Sequence, residues 1–122
     1  MTDAEIILAA AEKVMGWSEN GGGFCIGDDG VLIRPEVWPR GVVRPVTWNP
    51  LGSIEDAWML ALRMADLGYN FNMQHMSDVV GYLAQFYMDD NIAGECRDAV
   101  APLAITNAAL RCLAAKEHYG RK

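Results

Sequence analysis

Several features that would indicate a particular chemistry are missing from this sequence. Its three cysteines, Cys25, Cys96 and Cys112, are odd in number and widely spaced, so they predict neither a disulfide framework nor a C-x-x-C zinc site. No apolar run approaches the roughly 20 residues that span a bilayer. No basic segment followed by an apolar core opens the chain, as it would in a signal peptide. We therefore expect reduced thiols, a cytoplasmic location and no membrane partner.

Basic residues are scarce as well. Ten lysines and arginines against sixteen aspartates and glutamates give a net charge of −6, which disfavours direct binding to nucleic acid and favours solubility. Hydrophobic residues make up 52% of the chain and charged residues 21%, an ordinary globular composition. A chain of 122 residues can bury a core without metals or disulfides. We expect a single domain over residues 1–122.

Hydrophobic periodicity predicts two helices in the first half of the chain. Thr2 and Glu5 form a capping box before a helix that runs from about residue 3 to residue 15. Ser53 caps a second helix, which Gly68 ends. The predicted apolar stripe of this second helix consists of Ile54, Ala57, Trp58, Ala61 and Ala65.

The second half of the chain predicts two strands and one more helix. Residues 69–76 alternate apolar and polar side chains, and residues 82–88 run back as their antiparallel partner. The polar segment 89–98 is typical of a loop. A third helix then begins near Asp98, accepts Pro102 within its first turn and continues to about Tyr119.

The segment between the first two helices has a different character. Two short apolar runs, 24–26 and 31–33, flank a Gly/Asp cluster and predict a hairpin. Prolines 35, 39, 45 and 50 follow, and their density excludes a central strand and indicates an irregular excursion or an edge strand over about 34–50. The whole order predicts an α+β fold with three main helices, in which an antiparallel sheet is layered between helices as an α/β/α sandwich.

Candidate catalytic and metal-binding residues do not assemble into a recognisable motif. Asp28–Asp29 and Asp89–Asp90 are adjacent pairs, whose side chains point opposite ways on an extended backbone and which are typical of turns. His75 with Cys96 is the one conceivable thiol–imidazole couple, and nothing in the sequence activates that thiol. We therefore expect no catalytic residue, no metal, no cofactor and no enzymatic activity.

Arginine and tryptophan side chains provide the candidates for binding. On a proline-stiffened loop they are typical of binding hot spots, and arginine over tryptophan can hold a nucleobase or an acidic partner. This first set is Arg34, Trp38, Arg40, Arg44 and Trp48. In the alternative interpretation both tryptophans fill the core and the arginines solvate its edge.

Arg97 is the remaining candidate, next to the predicted start of the third helix. It could receive an anion there together with the helix-terminal amides. Alternatively, Arg97 pairs with Glu95 or Asp98 while Asp98 caps the helix. Both interpretations stay open at the level of the sequence.

Four groups of residues, taken together, resemble a known family. They are Glu12–Trp17, Trp48–Pro50, Ser53–Trp58, and a tail of Glu95–Asp98 with Ala101–Ile105 and Ala108–Leu110. With these motifs in this order, most of the chain resembles the phage ABA-sandwich domain, a family of small proteins of phages and prophages. The resemblance implies a sheet layered between helices and a phage origin, and it implies no catalytic residues. The proline-rich stretch 34–46 departs from the family pattern.

Three functional hypotheses follow from the residues and the resemblance. The first is a non-enzymatic phage accessory protein that binds a host macromolecule through residues 34–48 in the cytoplasm of the bacterial host, as an inhibitor of an antiviral system. The second is a protein that sequesters a small nucleotide signal in a pocket between protomers, lined by Arg97, Tyr82 or Trp38. The third is an uncharacterised enzyme. Exposed β edges and seven methionines are compatible with a homodimer.

Overall fold

The protein consists of α-helices and antiparallel β-sheets. The computed structural model describes residues 2–19, 23–27, 30–37, 41, 43–75 and 81–120, and of residues 36, 37, 44 and 115–120 the backbone alone. Three α-helices lie in this part: α1 Asp3–Ala9, α2 Ile54–Asp66 and α3 Ala101–Gly120. The strands described there are β1 Cys25–Ile26, β2 Leu32–Val37, β3 Val43–Thr47, β4 Asn70–His75, β5 Tyr82–Met88 and β6 Asn91–Asp98.

The strands pair as two three-stranded antiparallel sheets, in the orders β1-β2-β3 and β4-β5-β6. We call them the first and the second sheet. The predicted α+β sandwich of antiparallel strands and three helices is confirmed. Its strands are divided between two sheets, where the sequence pattern predicted one.

Helix α1 begins where the sequence predicts and widens midway. The Thr2 hydroxyl accepts a hydrogen bond from the Glu5 N–H at 3.2 Å, which confirms the cap. A π-helical turn, Ala10–Val14, continues the helix, and Gly16 ends it at a φ of +73°. A π-turn inserts an extra residue into the helical repeat and so re-phases the faces. This turn carries three side chains into the core, those of Ala10, Ala11 and Val14.

Helix α2 is capped as predicted but turned differently about its axis. The Ser53 hydroxyl accepts a hydrogen bond from the Asp56 N–H at 3.3 Å. The residues of α2 that reach the core are Ala57, Leu60, Ala61 and Met64. Ile54 and Trp58, which the predicted stripe included, are exposed instead. The stripe is wrong at these positions because apolar residues surround most of this helix, and the face that packs inward is the one that carries Leu60 and Met64.

The second sheet contains a strand that periodicity does not predict. Strands β4 and β5 pair antiparallel, as expected. The polar segment predicted as a loop is mostly β6, which pairs antiparallel with β5. The loop prediction is wrong because β6 is an edge strand with a register shift opposite Phe86/Tyr87. Such an irregularity interrupts the simple alternation of apolar and polar side chains.

Asp89 and Asp90 form the two-residue turn between β5 and β6. Their φ angles are +51° and +67°, and Met88 pairs with Asn91 across the turn. Turns that join antiparallel strands in this way need positive φ at both central residues, and aspartate tolerates that conformation better than most residues. The prediction that this pair forms a turn is confirmed. The pair Asp28–Asp29 lies outside the described residues.

Strands β2 and β3 replace the irregular excursion that the prolines indicated. Pro35 lies directly opposite Pro45. The Trp48 N–H donates to the Leu32 carbonyl at 3.0 Å, so the alternation of antiparallel pairs makes the Pro35/Pro45 pair a non-hydrogen-bonded one. Both proline nitrogens point away from the partner strand, and neither removes a ladder hydrogen bond. Strand β3 is an edge strand, as predicted.

The prolines were expected to exclude a central strand, yet Pro35 lies in β2, the middle strand of the first sheet. The short length of β1 explains why this proline is tolerated. Strand β1 pairs only with Leu32 and Ile33. Its ladder therefore ends before Pro35, whose missing N–H would otherwise interrupt it. Beyond that point β2 and β3 form a two-stranded ribbon.

Helix α3 packs against the other main elements. It contacts β5, β6, α2 and the π-helical turn. A Cβ added to Gly94 in β6 would lie 2.6 Å from the Ala108 carbonyl oxygen and 2.7 Å from the Cys112 nitrogen, so helix and strand backbones are in contact there. The buried Thr106 hydroxyl donates to the Pro50 carbonyl at 3.0 Å, which ties α3 to the segment after β3. The buried face of α3 also includes Ala104, Ile105 and Ala109.

Replacing Gly94 by alanine is expected to lower the free energy of unfolding by about 2–3 kcal/mol, because the new methyl group meets backbone that cannot rotate away. Urea unfolding followed by circular dichroism measures this. Gly30→Ala is the matched control: at φ +80° its Cβ meets no described atom within 4 Å. Left-handed strain alone then costs about 1 kcal/mol. Equal losses in the two variants would show that α3 and β6 are not in tight contact.

Candidate functional site

Arg34 lies where the first sheet meets the helices. Its guanidinium carbon is 5.9 Å from the centroid of the Trp17 ring, and its Nη2 donates to the Met59 sulfur at 3.7 Å. Trp17 packs edge to face against Trp48, with ring centroids 4.9 Å apart. Trp48 itself is buried. A cation over an aromatic ring is stabilised by the ring quadrupole, so Trp17 orients the guanidinium.

Two adjoining grooves share Arg34 in their walls. The larger has a volume of about 360 Å³, and the smaller, about 250 Å³, is lined by Trp17, Gly23, Arg34 and Pro35. Among the described residues that line them, Arg34 is the one that carries a charge. We call the two grooves together the Arg34 groove. The larger part is lined by Phe24, Cys25, Ile33, Arg34, Pro35, Val43 and Pro45.

The apolar walls of the larger part come from the outer face of the first sheet, whereas the Arg34 side chain leaves the inner face, where it contacts Trp17 and Met59. Leu32 and Trp48 face the core, and side chains alternate along a strand. Ile33, Pro35 and Pro45 therefore project from the opposite, outward face. Val43 at the rim is 58% exposed. A contiguous apolar surface of this kind is typical of an interaction site.

The structure places the first set of predicted binding residues unevenly. Arg34 reaches the groove, whereas Trp48 lies beneath it in the core. Arg44 belongs to β3, opposite Glu36, and its side chain is outside the described part. Trp38 and Arg40 lie outside the described residues. The prediction missed the apolar walls, which a period-two pattern of isoleucine, proline and valine over 33–45 could have indicated.

Arg97 and Tyr82, predicted as alternative walls of a nucleotide pocket, are not brought together within the described chain. Tyr82 lies opposite Asp98, and Leu83 lies opposite Arg97. Because neighbours on a strand face opposite ways, Tyr82 and Arg97 project from opposite faces of the second sheet. Tyr82 packs against the core, and Arg97 is exposed.

The groups near Arg97 make other contacts than the predicted ones. The Asp98 carboxylate accepts from the Val100 N–H at 2.9 Å and so closes the turn that precedes α3. Among the described residues, Arg97 forms no ion pair with Glu95 or Asp98. Glu95 instead accepts from the Gln85 amide at 3.0 Å, because β5 places the two side chains in register.

Gln85 is the centre of a polar network on the outer face of the second sheet. Its oxygen accepts from the Asn72 amide at 3.2 Å and from the Tyr87 hydroxyl, while its nitrogen donates to Glu95. Gln85 is buried, and a buried amide needs partners of this kind. The network connects all three strands. The sequence gives no signal for it, since it depends on strand register.

The thiols and the imidazole do not form a catalytic couple. His75 is on β4 and Cys96 on β6, with β5 between them, a separation of roughly 10 Å. Burial raises the pKa of the Cys96 thiol, and burial raises the pKa of Cys112 to about 11, so both thiols are neutral at pH 7. Cys25 is exposed. Within the described ranges, no group of three His, Cys, Asp or Glu side chains converges as metal ligands would.

Comparisons with known proteins found a matching family model and a similar solved structure. The family model described as Phage ABA sandwich domain matches residues 9–110. The chain is also similar in structure to a phage protein from Bacillus cereus ATCC 14579, with a TM-score of 0.61 and 19% sequence identity over 92% of each chain. At that identity the likeness shows the fold alone. No curated protein matches the chain. In the described residues, no helix is both long and apolar enough to cross a membrane.

Alkaline pH is expected to destabilise the fold through Cys112. Its pKa rises from 9.0 to about 11 on burial, so the unfolded chain loses this proton first. The stabilisation from the neutral thiol is complete below pH 9.0 and is lost as the pH rises through about 11. Urea unfolding at a series of pH values measures it.

The variant Cys112→Ala is expected to show a smaller loss of stability across that pH range than the unmodified protein. Cys25→Ala, which removes an exposed thiol, is the matched control and leaves the pH dependence unchanged. A Cys112→Ala profile that parallels the unmodified one would exclude this thiol as the source.

Proposed function

The chain belongs to the phage ABA sandwich domain family, and we propose that this phage-encoded protein acts by binding a host protein at the Arg34 groove. The observation that supports the proposal is the groove itself, whose larger part is an open apolar surface and whose smaller part holds the guanidinium that Trp17 orients. The host target is a component of an antiviral system, which makes the protein a counter-defence inhibitor.

The apolar walls of the groove and its arginine favour a protein ligand that has both apolar and acidic side chains. Apolar walls such as Ile33 and Val43 offer burial to aliphatic or aromatic side chains. In the smaller part, beside Trp17, Arg34 adds a donor for one carboxylate, and charge-assisted hydrogen bonds of this type are strong and directional. The matching partner is a protein segment with apolar side chains and one acidic group.

Side chains, rather than strand addition, would provide the contacts in the groove. Pro45 lies in the edge strand β3 and directs its nitrogen outward, where an added strand would need an N–H donor. The opposed prolines also stiffen the ribbon, so less conformational entropy is lost on binding. The contacts therefore favour recognition by surface shape and charge.

A second candidate function, sequestration of a small nucleotide, has one observation in its favour. Trp17 and Arg34 lie together in the wall of the smaller part of the groove. An aromatic face beside a guanidinium suits a nucleobase and a phosphate. This arrangement replaces the pocket predicted around Arg97 and Tyr82.

The variant Val43→Glu tests the protein-binding proposal, because it places a carboxylate at the rim of an apolar surface. Tagged protein is used to capture partners from an extract of the bacterial host, and captured proteins are quantified by mass spectrometry. We expect one partner that the unmodified protein retains and that Val43→Glu loses by about tenfold or more, equivalent to about 1.4 kcal/mol. Val100→Glu, a change at another exposed valine outside the groove, is the matched control and retains the partner. Identical capture by both variants would remove the groove from the binding surface.

Calorimetry tests the nucleotide candidate against a panel of cyclic and ADP-ribose-derived nucleotides. If it holds, one of them releases heat with the unmodified protein, and Arg34→Lys binds it about tenfold more weakly, because lysine keeps the charge but loses the planar stack on Trp17. The absence of heat with every nucleotide would exclude this function and leave the protein-binding proposal unaffected.

A further inference from the structure

Helix α2 exposes a row of large apolar side chains on its outer side. Ile54 is 48%, Trp58 47% and Leu62 55% exposed. A spacing of four residues places them one turn apart on one helix face. Met88 is also exposed, and it extends the row at the C-terminal end of α2, where its methyl group lies against Gly68. We call Ile54, Trp58, Leu62 and Met88 the α2 stripe.

The α2 stripe differs from the scattered exposed hydrophobics of an ordinary surface. Single exposed apolar residues are common, whereas a contiguous row of them marks a binding surface. It follows a helix of 13 residues, about 20 Å long. Trp58 packs edge-on against Phe71, with ring centroids 5.7 Å apart, and Phe71 contacts Phe86 at 5.0 Å. The exposed tryptophan is therefore held in place, as hot-spot anchors are.

Among the described residues, the charged side chains along the α2 stripe are acidic. Glu55 and Asp66 are exposed and lie eleven residues apart in the sequence, so they flank the same side of the stripe. The Asp89–Asp90 turn follows Met88 directly. The single arginine of α2, Arg63, is turned away, since its Nε donates to the Val14 carbonyl at 3.3 Å. Complementary charges in a partner would be basic.

From this surface we propose that the α2 stripe docks an amphipathic helix with basic flanks, contributed by a partner protein. A straight apolar row with a four-residue period presents the ridges into which another helix packs. Trp58 fills the apolar face of the incoming helix, and lysines or arginines beside that face meet Glu55 and Asp66. A partner bound here need not touch the Arg34 groove, because Met59, which contacts Arg34, leaves α2 about 100° around the axis from Trp58.

A second copy of the chain fits this surface poorly. An antiparallel two-fold pairing centred on the middle of α2 would bring Glu55 of one copy close to Asp66 of the other. Like charges across an interface oppose association. The net charge of −6 on each copy adds to the repulsion.

Binding of two matched peptides tests the proposal. Both are helical peptides of about 18 residues with leucine at the same amphipathic positions, and one carries lysine and the other glutamate elsewhere. Fluorescence anisotropy of the labelled peptides is expected to show binding of the leucine/lysine peptide about tenfold or more tighter than the leucine/glutamate peptide, with weaker binding as salt is raised. A scrambled leucine/lysine peptide controls for attraction to net charge and is expected not to bind. Equal binding of all three peptides would overturn the proposal.

Variants of the stripe locate the binding. Trp58→Ala is expected to weaken the leucine/lysine complex about tenfold, while Val43→Ala in the Arg34 groove leaves it unchanged. The double variant Glu55→Lys, Asp66→Lys is expected to bind the glutamate peptide more tightly than the lysine peptide. This second variant tests the proposal even if Trp58→Ala fails to fold. Unchanged preference in the charge-reversed protein would contradict the role of the acidic flank. In sedimentation velocity, a concentration-dependent dimer that Leu62→Glu abolishes would instead assign the surface to a second copy.

Discussion

Contact between helix α3 and the backbone of β6 at Gly94 determines how the other elements can be arranged. The helix can come this close because its buried face is built from small side chains such as Ala104 and Ala108. With α3 so placed, the π-helical turn and α2 pack against it, and the Thr106–Pro50 hydrogen bond fixes the segment that leaves the first sheet. Both sheets are thus positioned by one helix, and the surface features described above lie on the outside of that arrangement.

Structural features that depend on only a few neighbouring residues, such as helix caps and turns, could be predicted from the sequence. The caps at Thr2 and Ser53 and the aspartate turn depend on side chains that bond or bend their own backbone. Strand β6 could not be found in this way, because its pairing partner β5 supplies the order that its own pattern lacks. Helix α2 shows a related limit. Apolar residues cover more than half of its circumference, so periodicity cannot say which part of that surface faces the core.

Amino-acid composition was enough to select Arg34 as a candidate binding residue. The other residues of the groove could be identified only from the strand register. Arg34 could be selected because arginine among tryptophans and prolines is unusual in a short segment. The walls of its groove depend on which side chains share a face, and that required the pairing of Pro35 with Pro45. Tyr82 and Arg97 show the converse case. Both lie at one end of the second sheet, yet its pleat directs them to opposite faces.

In the two-stranded ribbon of β2 and β3, the residues that stabilise the core differ from those that line the Arg34 groove. Leu32 and Trp48 at its base belong to the buried core, whereas Pro35, Val43 and Pro45 further along do not. Under the proposed binding function, selection for a stable fold and selection for a partner act on different residues of the same hairpin. New side chains along the ribbon would then match a changed host target while the protein kept its core.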